Sequence, residues 1–162
     1  IELPVYLENV MSIPEEQYES IYSAAKNVLG DQLQGMCFDA PHFFIRGQDP
    51  IEQYKKYRDR AGVVHLSDCF RDRDVHIPFI AGGQLPVKDF LQTLRDDRFQ
   101  GFLTLEIQPT SMRELNQYVN SYVTSLKYLH PKKYRSTVWW TRLLSPILRR
   151  VKTGERLAAF LQ

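Results

Sequence analysis

The chain has 162 residues, 43% of them hydrophobic and 25% charged, which is the make-up of an ordinary globular domain with room for a sizeable core. No apolar run approaches the ~20 residues of a membrane-spanning helix, and no stretch reads as a signal peptide. The net charge of +2 hides an asymmetry: residues 131–162 carry eight Lys or Arg and the single acid Glu155, for +7, so residues 1–130 sum to −5.

Two cysteines, Cys37 and Cys69, are too few for a disulfide framework, and a cytoplasmic, reduced setting is the expectation. In chain order, the first apolar run, residues 4–8 (PVYLE), predicts a buried strand. A helical pattern follows over 14–29, with Ser12 as its N-cap and Gly30 as its stop. A second strand is expected over 35–39 (GMCFD), then a helix over 49–60 opened by Asp49-Pro50. The third strand, 62–68 (GVVHLSD), leads into a loop holding Asp74-Val75-His76 and a Gly82-Gly83 turn, the latter a weak signal for a phosphate cradle. A helix over 86–95, a strand over 101–106 (GFLTLE) and a helix over 111–129 complete the series. The tail has apolar positions Trp140, Leu144, Ile147, Leu148 and Val151 at helical spacing, interrupted by Pro146.

Strand followed by helix four times predicts a parallel sheet with helices outside it. Strand ends at Glu8, Asp39, His65 and Glu106 lie 31, 26 and 41 residues apart, the size of βα units. The expected fold is therefore a (β/α)₈ TIM barrel to which residues 1–130 contribute the last four βα units, with 131–162 a basic helical extension. A whole barrel takes ~250 residues, so the other half is expected to precede Ile1 or to come from a second chain. The basic extension is read as a helix packed on the barrel with a solvated face. An anionic membrane, an acidic partner or nucleic acid are the sharper alternatives.

Each predicted strand ends in a side chain able to bind a metal. Side chains two apart share a face of a strand, so Tyr6 goes with Glu8, Cys37 with Asp39, Val63 with His65 and Thr104 with Glu106. In one barrel these four polar groups would converge at the carboxyl-terminal rim, where they would repel unless a cation lay between them. Three carboxylates and one imidazole favour a single divalent ion, Mn²⁺, Mg²⁺ or Co²⁺, with Zn²⁺ also compatible. His42, Asp74 and His76 read either as further ligands or as side chains that anchor the backbone.

The segments at 7–9 (LEN), 38–42 (FDAPH), 63–68 (VVHLSD), 74–83 (DVHIPFIAGG) and 101–106 (GFLTLE) together resemble, in order and position, the signatures of the xylose isomerase-like barrels. That superfamily includes sugar isomerases, sugar epimerases and the endonuclease IV group. The resemblance implies that Glu8, Asp39, His65 and Glu106 hold the shared metal, that Glu8 and Glu106 serve as the acid–base pair, and that Arg71 contacts a substrate oxygen. The implied activity is isomerisation or epimerisation of a small polyhydroxy carbonyl compound, a sugar or sugar-like molecule, through an enediolate. An endonuclease IV-like phosphodiesterase acting on DNA is the rival, with His42, Asp74 and His76 as extra metal ligands; the acidic body counts against nucleic acid. The third expectation is a half-barrel without catalysis, an assembly piece or homo-oligomer.

Overall fold

The computed structural model describes residues 3–79, 81–108 and 115–148. The elements run in the order β1 (Val5–Glu8), α1 (Glu15–Leu29), a 3₁₀ turn (Gly30–Gln32), β2 (Leu33–Asp39), α2 (Ala40–Ile45), α3 (Pro50–Tyr57), β3 (Ala61–Leu66), β4 (Asp68–Phe70), β5 (Arg73–Ile77), α4 (Val87–Asp96), β6 (Phe102–Leu105), α5 (Leu115–Leu129) and α6 (Pro131–Leu148). Among the described residues there are two sheets: a four-stranded one ordered β1-β2-β3-β6, and the hairpin β4-β5. All three pairings in the larger sheet are parallel, with Glu8 opposite Cys37, Asp39 opposite His65, and His65 opposite Thr104. This is a TIM-barrel-like α/β arrangement in which the barrel is not closed; β1 and β6 are its edges.

The period-2 alternation of the strands divides the sheet into two faces. Met36 and Phe38 of β2 and Val64 and Leu66 of β3 are completely buried on the helix side. There they meet Phe43 of α2, Tyr54 of α3, and Phe90, Leu91 and Leu94 of α4. Phe38 stacks on Phe43 at 4.9 Å between centroids and meets Tyr54 edge-on at 5.8 Å. Each such side chain contributes roughly 1.5–3 kcal/mol by leaving water. On the opposite face Phe102 is 71% exposed, with no facing strand among the described residues to cover it. Gly62 is required here: a Cβ at this position would stand 2.3 Å from the Tyr6 ring, which crosses the start of β3.

Several elements differ from expectation. Ser12 does not cap α1; Pro14 occupies the N-cap position without a side-chain bond. The loop ahead of it is instead gathered by Arg46, whose Nη2 donates to the carbonyls of Val10 (2.9 Å) and Met11 (2.7 Å) and also to that of Ile13. The segment after β2 forms a short helix, α2, with Asp39 as N-cap accepting from the His42 N–H at 2.8 Å. The expected third strand splits at Ser67, and the expected loop folds back as the antiparallel β4–β5 hairpin, which puts Asp74 and His76 on a strand. In the Gly82-Gly83 turn the Gly83 amide is turned onto the protein's own Asp68 carboxylate. The backbone N–H groups of Cys69 and Leu85 donate to Asp68 at 2.9 and 3.0 Å, Gly83 adds a third, and a Cβ on Gly83 would sit 2.1 Å from the carboxylate. In the tail, one helix begins at Pro131 and keeps Pro146 in its last turn, so the proline does not break it. Residues 111–114 of the expected preceding helix and residues 149–162 of the expected extension lie outside the described residues.

Candidate metal centre

Parallel register places the ends of the four strands side by side, and the shared parity of Glu8, Asp39 and His65 turns them to the face away from the helices. Glu106 lies one residue past β6 and joins them. One ligand atom from each of Glu8, Asp39, His65 and Glu106 lies within 4.8 Å of every other. His65 Nδ1 is 2.7 Å from Glu106 Oε2, 3.6 Å from Glu8 Oε1 and 3.8 Å from Asp39 Oδ2.

The short His65–Glu106 approach lacks hydrogen-bond alignment. His65 Nδ1, Glu106 Oε2 and Asp39 Oδ2 are all buried without a hydrogen-bond partner among the described residues. Buried polar atoms are rarely left so, and three of them converging on one point is the arrangement that a shared ion satisfies. The donor set of carboxylate oxygens and one imidazole nitrogen fits a hard or borderline divalent cation.

The electrostatics of the protein without a cation follow from the same crowding. Asp39 is completely buried, and burial pushes its carboxyl up to about 8 despite the His42 N–H that favours its anion. The His65 imidazole holds Glu8 below the usual carboxylate range, against the opposing effect of burial. The neighbouring Cys37 sulfur and Glu8 carboxylate raise His65 to about 11.

A second tier surrounds this group. His42 Nδ1 lies 3.0 Å from the Asn9 carbonyl, 3.4 Å from Asp39 Oδ1 and 3.8 Å from Glu8 Oε1. A carbonyl only accepts, so Nδ1 carries the proton. Asp74 stands between two imidazoles, with Oδ2 3.6 Å from His42 Nε2 and Oδ1 3.6 Å from His76 Nε2. His76 Nε2 is also 3.9 Å from Glu106 Oε1, while its Nδ1 shares a 3.2 Å hydrogen bond with Ser67 Oγ. The hairpin thus carries Asp74 and His76 to the mouth of the cluster. The Arg71 guanidinium lies 4.3 Å above the centre of the Phe44 ring. Two partners were not singled out in the sequence. Asn9 sits inside the LEN segment next to Glu8, and Ser67 marks the break between β3 and β4.

The xylose isomerase-like TIM barrel family matches residues 6–130. No curated protein matches the chain. Among solved structures, a D-tagatose 3-epimerase-like protein superimposes with a TM-score of 0.56 at 20% identity, over 78% of this chain and 47% of that one. The chain therefore spans about half the length of that structure, and the likeness concerns the fold. A match to the family over 125 residues, an α/β sheet of the right topology and strand ends that meet at one point lead to one conclusion: the chain belongs to the xylose isomerase-like TIM barrel family.

Proposed function

We propose that the protein acts as a divalent-metal-dependent sugar isomerase or epimerase on a small polyhydroxy carbonyl substrate, as part of a complete barrel. The observation that carries this reading is the cluster of Glu8, Asp39, His65 and Glu106, with three buried atoms that have no hydrogen-bond partner among the described residues. Those four residues would hold the ion, which when bound would supply Lewis acidity toward a carbonyl oxygen and the hydroxyl beside it. Glu8, held below the usual carboxylate range, is anionic at neutral pH and suited to accept a proton from the carbon next to the carbonyl. The C–H electron pair moves into the enediolate, and the proton is then returned either to the opposite face of the same carbon or to the neighbouring carbon. Glu106 is the partner that delivers it: its Oε2 faces the cluster without a hydrogen-bond partner among the described residues. His42 and His76, tied to backbone and Ser67, shape the mouth. The edges β1 and β6 would pair with four further strands from the same polypeptide or a second chain.

In the complete barrel, Glu106→Gln keeps the side chain's volume but can neither hold a negative charge nor exchange a proton. We expect the fold to survive and turnover to fall by about 10²–10⁴-fold, the usual contribution of a general acid or base. The measurement is deuterium exchange from solvent into a panel of ketoses and aldoses with Mn²⁺ present. Wild-type exchange rates in the variant would remove Glu106 from the mechanism.

One observation favours a second reading, an endonuclease IV-like phosphodiesterase: Asp74 lies 3.6 Å from both the His42 and His76 imidazoles, a grouping suited to further metal ions. Metal stoichiometry discriminates. One ion per site supports the isomerase, and three support the phosphodiesterase.

A further inference from the structure

We infer that Asn9 is the positioning residue that sets Glu8 against Asp39, an inference that rests on the metal-centre reading above. The backbone pairing of β1 with β2 ends at Glu8 opposite Cys37. One residue later the Asn9 side chain takes over. Its Nδ2 donates to the Asp39 carbonyl at 2.9 Å, and its Oδ1 accepts from the Asp39 N–H at 2.7 Å. A carboxamide offers the same donor and acceptor as a peptide group, so Asn9 extends the ladder by one rung after β1 has left the sheet. The residue is 3% exposed, and both of its polar side-chain atoms are satisfied by this contact.

The contact continues into α2. The Asn9 carbonyl takes the His42 Nδ1 proton at 3.0 Å, and Asp39 Oδ1 accepts the His42 N–H at 2.8 Å. Asn9, Asp39 and His42 thus form a closed ring of four hydrogen bonds directly behind the cluster. Arg46 grips the next carbonyls, those of Val10 and Met11, so the chain on the far side of Asn9 cannot swing either. Glu8 and Asp39 carry like charges when both are ionised, and repulsion would drive their backbones apart. The Asn9 amide is what resists that movement at the point where the strands no longer pair. Aspartate cannot replace it, because a carboxylate cannot donate to the Asp39 carbonyl.

The test compares Asn9→Ala with Asp49→Ala, which removes the α3 cap away from the cluster. Two quantities are read: Mn²⁺ affinity by titration calorimetry, and exchange of the Asp39 amide hydrogen in metal-free protein. Asn9→Ala should weaken Mn²⁺ binding by about 10–100-fold, the usual effect of losing a partner that orients a ligand, and should speed Asp39 exchange at least ~10-fold. Asp49→Ala should lower the melting temperature and leave both quantities unchanged. Wild-type values of both in Asn9→Ala would overturn the assignment, as would equal losses in Asp49→Ala. If wild-type protein shows no Mn²⁺ affinity, the metal reading falls and the exchange rate alone judges the clamp: acceleration supports it and an unchanged rate overturns it. Should Asn9→Ala fail to fold, Asn9→Ser, whose short hydroxyl cannot span both backbone groups, carries the same two expectations.

Discussion

Asp39 sits where burial and charge pull in opposite directions. Its carboxyl is raised to about 8 in the folded protein, whereas an unfolded aspartate titrates near ~3.9. Between those values the native state keeps a proton that the unfolded chain has released, so the slope of stability with pH is negative. The contribution is fully present below about pH 4 and is lost as pH rises through about 8. We therefore expect metal-free wild-type protein, kept in chelator, to lose denaturant resistance between pH 4.5 and 8, on top of whatever other groups contribute. Asp39→Asn, which stays neutral, should flatten that decline. Denaturant midpoints at the two pH values measure it, and parallel slopes would show that Asp39 does not carry the proton. The sequence makes all four cluster residues visible through strand parity alone. It leaves open whether His42 binds a metal or a carbonyl, because the Asn9 carbonyl that receives it lies 33 positions away.

At the scale of elements, Asp68 shows how a single side chain can secure two of them. Three backbone N–H groups, those of Cys69, Leu85 and Gly83, converge on its 4%-exposed carboxylate and tie β4 to the entry of α4. Asp68→Ala would leave those donors without their acceptor in a buried setting and should cost about 3 kcal/mol. Gly83→Ala should destabilise through a different cause, the Cβ meeting the carboxylate at 2.1 Å. Thermal melting reads both, and unchanged melting in Asp68→Ala would show that the loop is held by other means. The four parallel strands are legible as short apolar runs between turns. Helix α2 is not, because Ala40, Pro41, His42, Phe43 and Phe44 are all buried and no polar face reveals the helical period. Its one local sign is Asp39 before Pro41, an N-cap with proline in the first turn. The hairpin escapes for a different reason: a three-residue strand and the charged run Arg71–Asp74 carry no readable alternation.

The whole molecule is governed by its two open edges. Among the described residues, strands β1 and β6 each leave one side of the backbone unpaired, and Phe102 on β6 is 71% exposed. A cavity of about 680 Å³ lined by Leu103, Leu105, Leu126 and Leu129 adjoins the β6 edge. Among the described residues no helix is long and apolar enough to cross a membrane. We expect the isolated 162-residue chain to self-associate in light scattering and Phe102→Lys to reduce that association. A cooperative, soluble monomer would show that the edges are protected within the chain.

The alternation of strand and helix and the face on which each strand-end side chain lies were legible in the chain, because the two periods of 2 and 3.6 residues are local properties, whereas the family resemblance rested on the ordered segments at 7–9, 38–42, 63–68, 74–83 and 101–106. What those groups meet depends on how the βα units pack together. Register set Asp39 opposite His65, the hairpin carried Asp74 between two imidazoles, and Asn9 closed the gap that backbone pairing leaves beyond Glu8. Those relations join residues from different βα units, and no local periodicity encodes a distance between them.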